Sequence, residues 1–299
     1  MNSTNKNIII IGAGKTAHSL TPALQKSGYK ISAIISRKIE SAKILAAESG
    51  KGYYSDKLKD IGNTGGIVFL CVPDNTIETV AKKISRLKLR FNRFIFVHLS
   101  GTLDISCLAS LKKQKALTAS LHIMQTFPSK RCIKIKNCYA AIETDSRNAE
   151  KILFAVANDT GLKPFKVGSD AKAFYHLAGV FASNFLAGNL FTAETAFNKT
   201  GNNNIDFIEM MSPILSSTLL NIKKAGAINA LSGPVERGDI QTIRKHLSAL
   251  KKDAKQTNNN SLLLSYIAQS LNLIEVAERK HGRQTGMYDK IRELLKSYL

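Results

Sequence analysis

Ile8-Ile9-Ile10-Ile11-Gly12-Ala13-Gly14-Lys15-Thr16-Ala17 reads as a buried parallel strand that turns tightly into a helix. Gly12 takes the unusual dihedrals of the turn. Gly14 has no side chain, so a pyrophosphate can approach the backbone there. Ala17 is small enough for close helix–strand packing. The helix start at Lys15 and Thr16 offers unpaired N–H groups and a partial positive charge to phosphates. The spacing alone is weak, but its setting between a strand and a helix makes it a dinucleotide-site signature, with Gly12, Ala13, Gly14, Lys15 and Thr16 in the cofactor set.

The next strand refines the cofactor. It runs Tyr29 to Ile35 and ends in Ser36-Arg37-Lys38. An NAD site carries Asp or Glu here to bond both ribose hydroxyls. A hydroxyl and two cations suit a 2′-phosphate instead, and Arg37 can stack on the adenine. The expectation is NADP(H). The plainer reading leaves Arg37 and Lys38 as solvated charges on a Lys-rich surface.

Further strands are expected at Ile67–Val72, Arg93–Val97, Leu117–Leu121, Tyr139–Glu143 and Pro164–Val167, with helices between them, as at Ile39–Glu48 and Thr76–Ile84. Such alternation means βαβ units and a parallel sheet. After Gly168 the pattern is helical throughout: Ser169–Asn198, then roughly Ile205–Lys224, Asp239–Lys252, Leu262–Lys280 and Met287–Leu299. The fold class is therefore α/β: a Rossmann domain over 1–167, followed by an all-α domain over 168–299. The first long helix carries Phe174, Leu177, Val180, Phe181, Phe185, Leu186, Leu190 and Phe191, too many apolar side chains for one stripe. A helix so apolar is buried on several sides, which predicts a homodimer.

The 299 residues carry 43 Lys and Arg against 22 Asp and Glu, a formal charge of +21. The cations are scattered, with no basic helix, aromatic platform or zinc module, so nucleic acid is not the expected partner. The field favours small anions. No apolar run suits a membrane span and no leader pattern fits, so a cytoplasmic protein is expected. Cys71, Cys107, Cys132 and Cys138 form no paired motif and are expected as free thiols.

Several polar residues fall at carboxyl ends of strands, where open α/β sheets bind ligands. Val72 and Pro73 would wall the cofactor crevice, while Asp74 and Asn75 cap the next helix, Asn75 with Glu78 approximating a capping box. Ser100 and His122 are candidate substrate contacts; His98 reads equally as part of a turn. Two histidines without a third ligand do not make a metal site. Lys172, His176 and Asn184 fall at helical spacing on one stripe. Hydride addition to a ketone leaves an alkoxide that an acid must protonate, and His176 and Lys172 are the two candidates. Either one also has a bland reading, as a core histidine or a solvated first-turn lysine. Arg237 could bind a carboxylate bidentately or form a rim salt bridge, and Asp239 reads as a helix cap.

Val72-Pro73-Asp74, His98-Leu99-Ser100-Gly101, the run His122 to Pro128, Tyr175-His176 with Ser183-Asn184, and Gly233-Pro234-x-x-Arg237-Gly238-Asp239-x-x-Thr242-x-x-x-His246 occur in this order. Over nearly the whole chain this series resembles Rossmann-like reductases related to pyrroline-5-carboxylate reductase and 6-phosphogluconate dehydrogenase. Within them it is most similar to the alternative type of ketopantoate reductase. The resemblance implies an NADP(H)-dependent reductase whose helical domain dimerises. It also implies a proton-donating lysine on the interdomain helix and a downstream Asn on the substrate. The expected substrate is a small anionic keto acid, 2-dehydropantoate first. The alternatives are an imine reductase of the pyrroline-5-carboxylate type and an NADP(H)-binding regulator without turnover.

Overall fold

The computed structural model describes residues 6–50, 52–202, 204–282 and 286–299. The chain divides into two compact units, Met1–Asn184 and Phe185–Leu299. The change in sequence pattern at residue 168 thus precedes the structural division, because the segment after Gly168 packs with the sheet.

In the first unit the elements follow as β1 (Asn7–Ile11), α1 (Ala17–Lys26), β2 (Lys30–Ile35), α2 (Ile39–Glu48), β3 (Tyr54–Ser55), β4 (Gly66–Leu70), α3 (Asp74–Ile84) and β5 (Phe94–His98). Then come α4 (Ala109–Lys113), β6 (Leu117–Ile123), β7 (Tyr139–Glu143), α5 (Arg147–Asp159), β8 (Lys163–Lys166) and α6 (Ser169–Gly179). The eight strands form one sheet in the order β3-β2-β1-β4-β5-β6-β7-β8. The strand order reverses direction between β1 and β4, which opens a crevice beyond their carboxyl ends. Ile8 and Ile10 bury into one face and Ile9 and Ile11 into the other, so the run is apolar without alternation.

Two expectations are corrected. The sheet is not wholly parallel: β6 and β7 pair antiparallel, with Ser120 opposite Glu143 and His122 opposite Ala141. The connection between these strands holds no helix to carry the chain back to the starting end, so β7 enters from the other side. In addition, the expected single helix over 169–198 is interrupted. Val180–Asn184 forms a π-helical turn between α6 and α7 (Phe185–Asn198). Such turns add backbone to a helix and concentrate at functional sites.

The second unit continues from α7 with α8 (Phe207–Ala230), α9 (Ile240–Thr257), α10 (Ser261–His281) and α11 (Met287–Lys296). Gly226, at φ 78°, breaks α8 close to the expected end at Lys224. Ile243, Leu247, Ile267, Ile274, Tyr288, Ile291 and Leu295 form the core of α9–α11. Asp239 caps α9 as expected, accepting from the Thr242 N–H at 3.0 Å and its hydroxyl at 2.7 Å.

Candidate active site

The turn after β1 leaves no room for side chains. Gly12 sits at φ +98°, and a Cβ there would lie 2.3 Å from the Cys71 carbonyl oxygen. At Gly14 the same oxygen would be 3.3 Å away. Backbone bonds fix the turn between its neighbours: Gly12 N–H to Ile35 at 2.7 Å, and Cys71 N–H to Ile11 at 2.7 Å. The result is a crevice of about 530 Å³ at the switch point. Gly12, Ala13, Gly14, Ser36, Arg37, Lys38, Val72 and Pro73, all expected there, line it. Lys15 and Thr16 lead into α1, whose first turn carries no acidic side chain to compete with a phosphate. The cradle fits a dinucleotide, and the cations at its β2 edge fit a 2′-phosphate. Lys83, near the end of α3, joins that lining and was not anticipated from sequence.

Asp74 does not cap α3 with its side chain. The N-cap position falls on Pro73, without a side-chain bond. Asp74 instead accepts the Ser100 hydroxyl at 2.6 Å. Ser100 is buried, and its oxygen also takes the N–H groups of Thr102 and Leu103 at 3.2 and 3.0 Å. His98 is fully buried, and its Nδ1 accepts the Ser100 N–H at 3.2 Å. Burial, helped by the Lys172 charge, pushes its pKa down to about 3, so it stays neutral. These bonds tie the loop after β5 to the start of α3, next to Val72 and Pro73 of the crevice.

The same loop reaches a second concavity. A Cβ on Gly101 would lie 2.5 Å from His176 Cδ2 and 2.9 Å from His122 Nε2, so both imidazoles rest against bare backbone. His122, His176 and Asn184 line a pocket of about 400 Å³ with Gln125, Thr126, Ser183 and apolar Met124, Val180 and Ala182. The π-helical turn supplies Val180, Ala182, Ser183 and Asn184 to this wall. His122 and His176 stand with ring centroids 6.0 Å apart. His122 Nδ1 lies 2.9 Å from the Tyr175 hydroxyl. Burial, then the neighbouring His176 and Lys172, lower the His122 pKa to about 4.

Lys172 and His176 therefore occupy different environments. Lys172 is 1% exposed and does not line the pocket. Its ammonium donates to Ser120 Oγ at 2.6 Å and to Glu143 Oε2 at 2.9 Å. Glu143 Oε1 takes the Ser169 hydroxyl at 2.7 Å and the Ile105 N–H at 3.2 Å. Ser169 thus faces Glu143 rather than capping α6, where Gly168 holds the N-cap position. His98, Ser120 and Glu143 are register partners across β5, β6 and β7, forming a polar row beneath Lys172. Sequence reasoning missed Ser120 and Glu143. Their only signal is a carboxylate closing an otherwise apolar strand, and its meaning depends on the antiparallel pairing.

Arg237 lies in the second unit, with its side chain exposed. Its loop is a tight turn, with Arg237 N–H bonded to Gly233 at 3.1 Å and Asp239 N–H to Pro234 at 2.8 Å. The adjoining Glu236 pairs with Lys280 at 3.0 Å and His281 at 2.7 Å. Among the described residues, no group of three His, Cys, Asp or Glu side chains is placed to hold a metal. Cys71, Cys107, Cys132 and Cys138 are free thiols. Among the described residues no helix is long and apolar enough to cross a membrane.

Residues 7–91 match the family described as NADP oxidoreductase coenzyme F420-dependent, and residues 138–264 match a domain of unknown function, DUF2520. A putative NADP oxidoreductase from Bacteroides fragilis is similar, with 25% identity and a TM-score of 0.71 over 91% of this chain and 99% of that one. Protein TM1727 from Thermotoga maritima has 26% identity and a TM-score of 0.69 over the same shares. 1-Pyrroline-5-carboxylate reductase from Streptococcus pyogenes shares the fold, with 15% identity and a TM-score of 0.60 over 96% of this chain and 98% of that one. No curated protein matches the sequence significantly. The class these findings define is a Rossmann-like oxidoreductase of the NADP type. They do not single out the ketopantoate reductases within it.

Proposed function

We propose that the protein is an NADPH-dependent reductase of a small polar carbonyl compound, with 2-dehydropantoate the first substrate to try. The observation that carries this reading is the loop from His98 to Leu103. Through Ser100 it bonds Asp74, next in chain to Pro73 of the dinucleotide crevice, and Gly101 packs close against the two histidines of the second pocket. A cofactor cradle and a hydrogen-bonding pocket thus share one rigid loop. Bound NADPH supplies a hydride. The chain's own residues bind, orient and protonate the substrate. His176, at the pocket wall, is the proton donor in this reading. Lys172 keeps the field around the histidines positive from beneath, and Asn184 and His122 orient the substrate.

An imine reductase of the pyrroline-5-carboxylate kind is the second reading, favoured by the shared fold. A protonated imine accepts hydride without needing an acid afterwards, so His176 would then be dispensable. NADPH oxidation measured against a panel of 2-keto acids and cyclic imines separates the two. Tight NADPH binding without turnover on either class would overturn both and leave a regulator.

We also propose that a second copy of the chain covers α8. Ile214, Leu219 and Leu220 on that helix are 62%, 57% and 50% exposed. Apolar side chains clustered at such exposure mark interaction surfaces. Light scattering that gave a monomer mass at micromolar concentration would contradict this.

A further inference from the structure

Behind His122, a residue of the second pocket, stands a tyrosine that the reading above does not use. Tyr175 is half-buried, one position before His176 on α6. Its ring packs edge-on against Phe165, with centroids 5.6 Å apart, and against His122, at 5.5 Å and 85°. Its hydroxyl lies 2.9 Å from His122 Nδ1 and 3.4 Å from the His122 carbonyl oxygen. The shorter contact is the one that matters chemically. A phenol is a better donor than a neutral imidazole N–H, and an imidazole nitrogen is a better acceptor than a phenol oxygen. The Tyr175 hydroxyl therefore donates to Nδ1. Burial keeps that hydroxyl protonated, with its pKa raised to about 12. Once Nδ1 is taken as an acceptor, the remaining proton of a neutral imidazole sits on Nε2. Nε2 is the atom beside Gly101, on a ring that lines the pocket.

We propose that Tyr175 is a positioning residue: it fixes His122 in the Nε2–H tautomer, so that His122 is a neutral hydrogen-bond donor to the substrate oxygen or nitrogen that gains charge. This deepens the reductase reading and rests on it. It divides the work of the two histidines. His122 holds the reacting heteroatom and never delivers its own proton, and His176 remains the group that does. The charged and titratable groups around His122 are Tyr175, His176 and Lys172 from α6 and Asp74 from the start of α3. His176 and Lys172 oppose a proton on His122, and Asp74 favours one. A neutral donor is suited to this place because it polarises the substrate without the cost of burying a new charge.

The test is two-dimensional ¹⁵N NMR of histidine-labelled protein, wild type and Tyr175→Phe, read at the His122 ring nitrogens. The expected wild-type spectrum at pH 7 shows a protonated Nε2 and an unprotonated, hydrogen-bonded Nδ1. In Tyr175→Phe the tautomers mix, and the His122 titration midpoint rises by about one pH unit, because the bond that favoured the neutral ring is gone. With a turned-over substrate, kcat falls about tenfold while the NADPH dissociation constant stays within twofold, the size expected for one lost hydrogen bond in the transition state. A wild-type Nδ1–H tautomer overturns the proposal without any variant. An unchanged tautomer or an unchanged kcat in Tyr175→Phe overturns it as well, because the ring packing is kept. The NMR readout needs no turnover. Failure of the reductase reading would show separately, as no NADPH oxidation in a protein whose His122 carries the expected proton.

Discussion

Gly101→Ala is the sharpest probe of the second pocket. Gly101 does not sit in the left-handed region of φ, so alanine brings no backbone strain. Only space opposes it. The new Cβ would fall 2.5 Å from His176 Cδ2 and 2.9 Å from His122 Nε2. Carbon atoms rest at about 3.5–4.0 Å, so the His176 ring must retreat by about 1 Å. That ring is half-buried and borders open pocket, so the stability cost stays near the low end of overpacking, about 1 kcal/mol. A 1 Å misplacement of a catalytic group costs about 10²-fold in rate, or about 2.7 kcal/mol of transition-state stabilisation. Steady-state kinetics should show kcat/KM down by that factor, with NADPH affinity, read by fluorescence titration, unchanged. Gly179→Ala is the internal comparison. Its Cβ would meet Met124 Sδ at 2.9 Å, the mobile end of a flexible side chain, so a few-fold loss is expected. Activity of Gly101→Ala within threefold of wild type would show that the two imidazoles do not act where they stand.

Arg37→Ala should weaken NADPH binding at least tenfold and leave NADH binding nearly unchanged; equal affinity for both cofactors in the unaltered protein would end the 2′-phosphate reading. His176→Asn should lower turnover on keto acids by about 10²-fold with NADPH affinity intact, and full activity would move the proton-donor role elsewhere. Lys172→Met leaves Glu143 buried without its counter-charge and should cost about 3–5 kcal/mol in chemical denaturation, a loss that Lys172→Met/Glu143→Gln recovers in large part; a single variant as stable as wild type would refute the pairing. His98 and His122 are neutral in the folded state, with pKa values of about 3 and 4 against 6.5 for a free imidazole. As pH falls below 6.5 the unfolded chain binds protons that the native one refuses, so stability is full above that value and declines towards pH 4. Urea midpoints that stay flat from pH 7 to pH 4.5, before most carboxylates titrate, would contradict this.

The cofactor half of the site was legible because it rests on local constraints. A glycine that must accept φ +98° against the Cys71 carbonyl, and a strand end rich in cations, are visible as residue types at fixed offsets. α2 and β7 fall at their expected limits for the same reason, since their apolar spacing and flanking turns are local signals. The substrate half depends on pairings that no window reports. Asp74 looked like a helix cap until Ser100 reached it across two loops. Glu143 likewise takes the Ser169 hydroxyl, a bond between β7 and the start of α6 that no local pattern announces. Lys172 and His176 share a helical face by spacing, yet one is sealed over a polar row and the other lines a pocket. That difference comes from β7 running antiparallel and bringing Glu143 opposite Ser120. The π-helical turn is equally invisible, since its residues are ordinary helix formers and tertiary packing selects the extra backbone.

The Lys172–Glu143 pair also constrains how the chain can vary over descent. Either partner changed alone strands a full charge in a dry interior, a cost comparable to much of a domain's stability. The two positions can therefore drift only together, through a double exchange. Among diverged relatives they should change as a linked pair, to Lys with Glu or to two uncharged residues, and almost never one without the other. Ser120 answers to a weaker rule, because a hydroxyl can be given up without leaving a net charge behind. A family that kept the lysine while losing the carboxylate would have to have opened this interior to water.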